Sequence, residues 1–309
     1  MGTTLPTARP GARPAPASAV GEPRGRAVVG VDGSPAGDVA LEWAVTEAEV
    51  AGGDLLVCHA YAPEHIVRPL PAEGTEAAGQ IARRCLAAAV AKAGRRLGSA
   101  RVRGELRVGN PAMMLIEASA GAGMVVVGSH GYLGRGARLL GSTVLRVAGH
   151  ADCPAVVVRP LLSGVRGPFA DHVVVGVDGS QPASTALGFG FRYAALHDVG
   201  LVAVHVAGEW PSDFWTDDRM LQTYFVAEPP AEAMLSVEVE PWHHQFPGVP
   251  VKRAVYGGDP VRGLLRAAGG ARLLVVGDRR RDELRRLMLG SVSRGVVSHA
   301  GCPVAVVHG

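Results

Sequence analysis

The chain has 309 residues, 48% hydrophobic and 19% charged, the balance of a soluble globular protein, and at roughly 150 residues per domain it has room for two domains. A net charge of +3 with no run of five Lys or Arg argues against nucleic acid, and no apolar stretch nears the ~18 residues of a membrane span. Aromatic residues make up 5%, so the cores must be built from Val, Leu and Ala, which suits parallel sheets covered by helices. The four cysteines, Cys58, Cys85, Cys153 and Cys302, form no CxxC pair, and without a secretory leader the expected setting is the reduced cytoplasm.

Residues 1–24, rich in Pro, Ala, Gly and Thr, read as a disordered tail. Ala27–Val31 is a short apolar run ending in Asp-Gly-Ser, a strand followed by a turn. Pro35 to Val50 places Ala40, Leu41, Ala44, Val45 and Ala48 at helical spacing. A strand over Asp54–Ala60 and an alanine-rich helix over Thr75–Leu97 follow, then a third strand over Ala100–Val108. Asn110 before Pro111 marks a helix start, with the helix running to about Ala120. Met124–Val127 is a fourth strand, Ser142–Gly149 a helix, and Ala155–Val158 a fifth strand.

The whole order then returns. Val28 to Ser34 reappears as Val174 to Ser180, and His59 as His205, at a shift of 146 residues (Asp32 to Asp178). Val126-Val127-Gly128, Gly141-Ser142 and the His150–Pro154 segment return at Val275-Val276-Gly277, Gly290-Ser291 and His299–Pro303, at a shift of 149 (Gly128 to Gly277). Such self-similarity marks a duplicated unit. Alternating strands and helices imply parallel βαβ units with right-handed crossovers, so the fold class is α/β, two tandem Rossmann-like domains over 25–161 and 170–309. The copies diverge most over 208–230, where Trp210, Phe214, Trp215, Tyr224 and Phe225 gather. That segment reads either as a loop packed over the second domain or as a lid or partner-docking patch.

In open parallel sheets ligands bind beyond the carboxyl ends of the strands, where strand order reverses. Asp32 follows the first strand there, and Gly128 ends the fourth. Glycine at 128 and 131 allows close backbone approach to a ligand, while Gly141 and Ser142 open a helix whose free N–H groups and dipole favour phosphate. Asp32, an acceptor when ionised, suits the hydroxyls of a ribose.

The spacing Gly128-x2-Gly131-x9-Gly141-Ser142, the Val-Asp-Gly-Ser turn, the second-strand histidine and the Cys-Pro before the last strand resemble the universal stress protein family, in its tandem form, from about Arg26 to Val307. The resemblance implies five parallel strands per copy and ATP in the first, together with Mg²⁺. By that resemblance Gly30 and Asp32 meet the ribose or adenine edge and Ala60 lines the adenine pocket. Gly128, Ser129, His130 and Gly131 cradle the ligand, and Gly141, Ser142 and Thr143 take the phosphates. The matching positions of the second copy are Gly176, Asp178, Val206, Gly277, Gly290, Ser291 and Val292.

The second copy departs from the motif. Arg280 stands where the second Gly belongs, beside Asp278, which adds negative charge where phosphates would lie. Arg279 and Arg280 can offset that charge by pairing with phosphate, so the sequence leaves the second site open. The wider basic cluster, through Arg285-Arg286, reads as a solvated helix face.

His59 and His205 sit between apolar neighbours and read as satisfied core histidines. His150-x-x-Cys153 and His299-x-x-Cys302 have zinc-like spacing, but each pair precedes a final strand. In the resembled family those strands often pair antiparallel, which puts their starts at opposite ends, so no metal site is expected. There is no P-loop, no Gly-x-Ser-x-Gly elbow and no nucleophile–base pair, so slow ATP hydrolysis is the most an enzyme reading can claim. The expected function is that of an ATP-binding stress-response regulator with an unknown protein partner, able to pair as a homodimer. The alternative is an interaction protein indifferent to nucleotide.

Overall fold

The computed structural model describes residues 25–61, 72–130, 140–159, 166–208, 229–278 and 289–309. The first half runs β1 (Ala27–Gly30), α1 (Pro35–Ala51), β2 (Leu55–Tyr61), α2 (Ala72–Leu97), β3 (Val102–Val108), α3 (Pro111–Ser119), β4 (Met124–Gly128), α4 (Ser142–His150) and β5 (Ala155–Val158). The second repeats it: β6 (Val173–Gly176), α5 (Gln181–His197), β7 (Leu201–Ala207), α6 (Pro229–Gln245), β8 (Val251–Gly257), α7 (Pro260–Ala267), β9 (Leu273–Asp278), α8 (Ser291–His299) and β10 (Val304–His308). The tail 1–24, Gly131, the arginines from 279 to 286 and the aromatics from Trp210 to Phe225 lie outside the described residues.

Local chemistry accounts for most boundaries. Ser34 caps α1 by accepting the Gly37 N–H at 3.0 Å, with Pro35 at the first helical position. The preceding turn holds Gly33 at φ 79°, a left-handed conformation that glycine adopts without strain, and Gly179 at φ 73° repeats it. Asn110 caps α3 as its spacing predicted, accepting from Ala112 N at 2.9 Å. One boundary moves. Ala100 and Arg101 belong to a 3-10 turn (Ser99–Arg101) rather than to β3, because the Arg101 side chain reaches back to α1, donating to the carbonyls of Gly53 at 3.1 Å and Ala48 at 2.8 Å.

The ten strands of the described residues lie in one sheet of order β3-β2-β1-β4-β5-β10-β9-β6-β7-β8. Every pairing is parallel except the central one, where β5 meets β10 antiparallel (Ala155↔Val306, Val156↔Ala305, Val157↔Val304). Each half is thus a five-stranded parallel sheet, and the halves are related by a pseudo-twofold axis through that seam. Side chains alternate along each strand, which divides the core in two. Val29, Val57 and Val126 pack under α1, α2, α5 and α6, whereas Val28, Val125 and Val157 pack under α3, α4, α7 and α8.

Among the described residues, side-chain hydrogen bonds cross the seam on both faces of the sheet. The Arg159 guanidinium donates to the Val297 carbonyl in the last turn of α8 at 2.9 Å. On the opposite face Glu47 of α1, 4% exposed, accepts from the Tyr193 hydroxyl at 2.9 Å and from His197 Nε2 at 2.7 Å, both on α5. Arg272 donates to His197 Nδ1 at 2.8 Å. Since a guanidinium can only donate, Nδ1 accepts and the ring proton sits on Nε2, facing Glu47. Glu47 and Tyr193 occupy equivalent positions of the two copies, so the duplication has become complementary where it meets itself.

Candidate functional site

In each half the strand order reverses between the first and fourth strands, and in the first half a cavity of about 440 Å³ opens there. Gly30, Val31 and Asp32 form its floor at the end of β1, with Gly37 of α1 beside them; β2 contributes Cys58 and Ala60. Pro111, Met114 and Leu115 of α3 make an apolar wall. Val127, Gly128 and His130 come from β4 and the turn after it, and Gly141, Ser142, Thr143 and Val144 from the start of α4.

One end of this cavity is apolar and the other polar. Asp32 is exposed, and its Oδ1 accepts the Ser34 N–H at 3.0 Å. Gly141 caps α4 and, among the described residues, no side chain bonds to this helix N-terminus, which meets the cavity with the hydroxyls of Ser142 and Thr143 in its first turn. Burial, and next the nearby Glu105, push the Cys58 thiol up to about 12, which makes it a neutral wall and not a nucleophile. Burial followed by the charges of Asp32 and Asp38 raises Cys85, which packs on the turn at Gly33.

The structure thus gathers Gly30, Asp32, Ala60, Gly128, His130, Gly141, Ser142 and Thr143 around one cavity. Ser129 does not line it: the residue is 2% exposed, its hydroxyl lies 3.0 Å from His130 Nδ1, and its carbonyl accepts the Gly141 N–H at 3.3 Å. Sequence reasoning missed Met114 and Leu115, whose only signal was an apolar pair one turn into α3.

Gly128 has a further reason to be glycine. A Cβ there would lie 2.5 Å from the Ala36 carbonyl oxygen, so β4 can end against α1 only without a side chain. Gly277 repeats this at 2.5 Å from Pro182. Packing alone therefore retains this motif glycine in the second copy, whatever that copy binds.

His59 Nδ1 donates to the Val31 carbonyl at 2.7 Å, and His205 Nδ1 to Val177 at the same distance. Each holds the strand end that precedes Asp32 or Asp178. His150 Nδ1 meets the Arg146 carbonyl of its own helix at 2.8 Å, and Cys153 is buried. Among the described residues no group of three or more His, Cys, Asp or Glu could hold a metal ion.

The second half differs around the same strand ends. Gly176 still abuts a leucine, Leu264, as Gly30 abuts Leu115. Val206 stands in place of Ala60 and packs over Gly263, where a Cβ would be 2.7 Å from its methyl; Gly263 takes the place of Met114. Asp178 accepts the Ser180 N–H at 3.0 Å, as Asp32 does Ser34. At the polar end Gly290 precedes Ser291 and Val292 in α8, and its N–H goes to the Asp278 side chain at 2.9 Å.

The model of the universal stress protein family matches residues 23–159 and again 170–308. The chain belongs to this family. Among similar proteins is universal stress protein Rv2623 of Mycobacterium tuberculosis, 32% identical over 290 residues that cover 90% of this chain and 95% of the relative. Universal stress protein Rv2005c of the same organism is 33% identical over 291 residues, covering 90% and 95%. A universal stress protein from Archaeoglobus fulgidus shares the fold at a TM-score of 0.68 and 19% identity, over 91% of this chain and 97% of that one. A universal stress protein from Pseudomonas aeruginosa follows at 0.57 and 13%, over 93% and 94%. The described part of this family member has no helix long and apolar enough to cross a membrane.

Proposed function

We propose that the first half binds ATP and that the protein acts as a nucleotide-responsive regulator, with residues 25–161 and 170–309 as its two domains. The observation that carries this reading is the cavity itself: an apolar pocket between α3 and the ends of β1 and β2 leads to the N-terminus of α4, which begins at a glycine cap. A purine fits the first part, its ribose hydroxyls can reach Asp32, and phosphates suit the N–H groups of α4. A hard cation such as Mg²⁺ takes oxygen ligands, and the described lining offers the Ser142 and Thr143 hydroxyls and the Asp32 carboxylate, so Mg²⁺ would arrive with the phosphates. A ligand that prefers one packing of the two halves would bias how they sit, which is how binding would regulate.

The lining speaks for binding over turnover. Its ionisable side chains, among the described residues, are Asp32, Cys58 and His130, and Cys58 stays a thiol. The test is to denature the purified protein and count the nucleotide released by chromatography. ATP near one per chain, lost in Gly141→Glu, supports the reading. No released nucleotide, and no calorimetric binding of MgATP, would leave an interaction protein indifferent to nucleotide.

A further inference from the structure

The two copies part company at the strand end that faces the phosphate-side helix. Asp278 occupies the position that Ser129 holds in the first half. β9 runs one residue further than β4, so Asp278 is itself a strand residue, registered with His308 of β10. Alternation puts its side chain on the face of Val276, under α7 and α8. It is 5% exposed, and its Oδ1 accepts the N–H of Gly290, the cap residue of α8, at 2.9 Å. In the first half the same N–H, of Gly141, goes to a backbone carbonyl at the longer distance of 3.3 Å.

We infer that Asp278 is a built-in anion, taking the place of a ligand phosphate at the second site and thereby deciding which half binds nucleotide. The argument rests on the ATP reading of the first half. A negative side chain at a helix N-terminus satisfies the field that would otherwise attract phosphate. It also repels phosphate within the same few ångströms. Two substitutions and one retained glycine agree with it. Ser293, replacing Val144, donates to the Gly277 carbonyl at 3.3 Å and ties α8 to the strand end. A Cβ on Gly290 would sit 2.9 Å from Asp278 Oδ1, so glycine lets cap and carboxylate approach without the side chain turning aside. Val206, replacing Ala60, adds bulk at the base end. The second half therefore keeps motif glycines without keeping the ligand, and its helix is held as though occupied whether or not ATP is present.

The experiment measures MgATP bound at saturation by equilibrium dialysis, on the full chain and on Asp278→Ser, which installs the residue the first half carries. Asp278→Asn is the near-isosteric companion, and Asp278→Ser with Arg280→Gly restores the rest of the motif. The expected result is one ATP per chain for the parent and two for Asp278→Ser with Arg280→Gly. Asp278→Asn should gain measurable second-site binding even if the serine variant folds poorly. A parent that binds two per chain overturns the inference, as does one that stays at one in every variant. Should the parent bind none and the variants one, Asp278 keeps its role while the first-half reading fails; none in any variant overturns both.

Discussion

Truncating Glu47 to Ala tests whether the two halves are held by the polar network between α1 and α5. The carboxylate accepts from Tyr193 at 2.9 Å and His197 at 2.7 Å, and the side chains of His197 and Glu47 are 1% and 4% exposed. Removing it strands two buried donors, each at about 1–3 kcal/mol, so the expected loss of unfolding free energy is about 3–5 kcal/mol. Glu47→Gln separates the parts. Its carbonyl still accepts from Tyr193, but its NH₂ faces the Nε2 proton of His197, whose Nδ1 is committed to Arg272. About half the loss should remain. Burial, then the adjacent Glu47, keep the Tyr193 phenol well above its ordinary value, so it stays a donor throughout the neutral range. The assay is urea denaturation followed by tryptophan fluorescence and far-ultraviolet circular dichroism, with midpoints and slopes compared. A Glu47→Ala chain within about 1 kcal/mol of the parent would refute the reasoning, because it would mean that water or repacking satisfies both donors.

Gly128→Ala should destabilise the protein by about 1–3 kcal/mol or more even without nucleotide, since its methyl meets a backbone carbonyl that has no rotamer to change; an unchanged melt with lost ATP binding would assign that glycine to the ligand instead. Alkaline pH should unfold the chain early. Burial raises the Cys58, Cys153 and Cys302 thiols from 9.0 to about 12. Above pH 9 the unfolded chain releases these protons while the folded one keeps them, so this stability is complete below pH 9 and declines as pH rises toward 12, by about 1.4 kcal/mol per thiol per pH unit. Urea midpoints at pH 8.5, 9.5 and 10.5 that do not fall, or a Cys58→Ala/Cys153→Ala/Cys302→Ala chain with the same slope as the parent, would contradict this.

The fold was legible because each level of the sequence pointed the same way. Ser34 with Pro35, Asn110 with Pro111, and the all-apolar strand runs each name an element and its boundary, and the repeat doubles every signal. What escaped was set by contacts distant in sequence. The 3-10 turn at Ser99 depends on Arg101 reaching α1, and no local pattern announces that. At the site, Asp32 and Gly141 could be named because they sit at strand and helix ends, where backbone groups are free. Met114 could not, because an apolar helix residue looks the same whether it faces a core or a cavity. Ser129 reads as a ligand contact from its place in the motif, yet the backbone turns its side chain to His130. The charge of Asp278 was plain in the sequence; that it is aimed at its own helix cap was not.

The antiparallel seam between β5 and β10 has a consequence for dilution. Two separate five-stranded units joined along that edge would part as their concentration fell. Here the partner edge, β10, belongs to the same chain, in a half whose first strand begins at Val173, so its effective concentration is fixed by the connection between the halves and is on the order of millimolar when such a connection is short. The seam uses up the inner edges and leaves β3 and β8 outermost, with Arg103, Arg107, Lys252 and Arg253 exposed along them. Charged edge strands resist pairing with further sheets. The protein can therefore be scarce or abundant in its compartment without its ten-stranded sheet either splitting or growing.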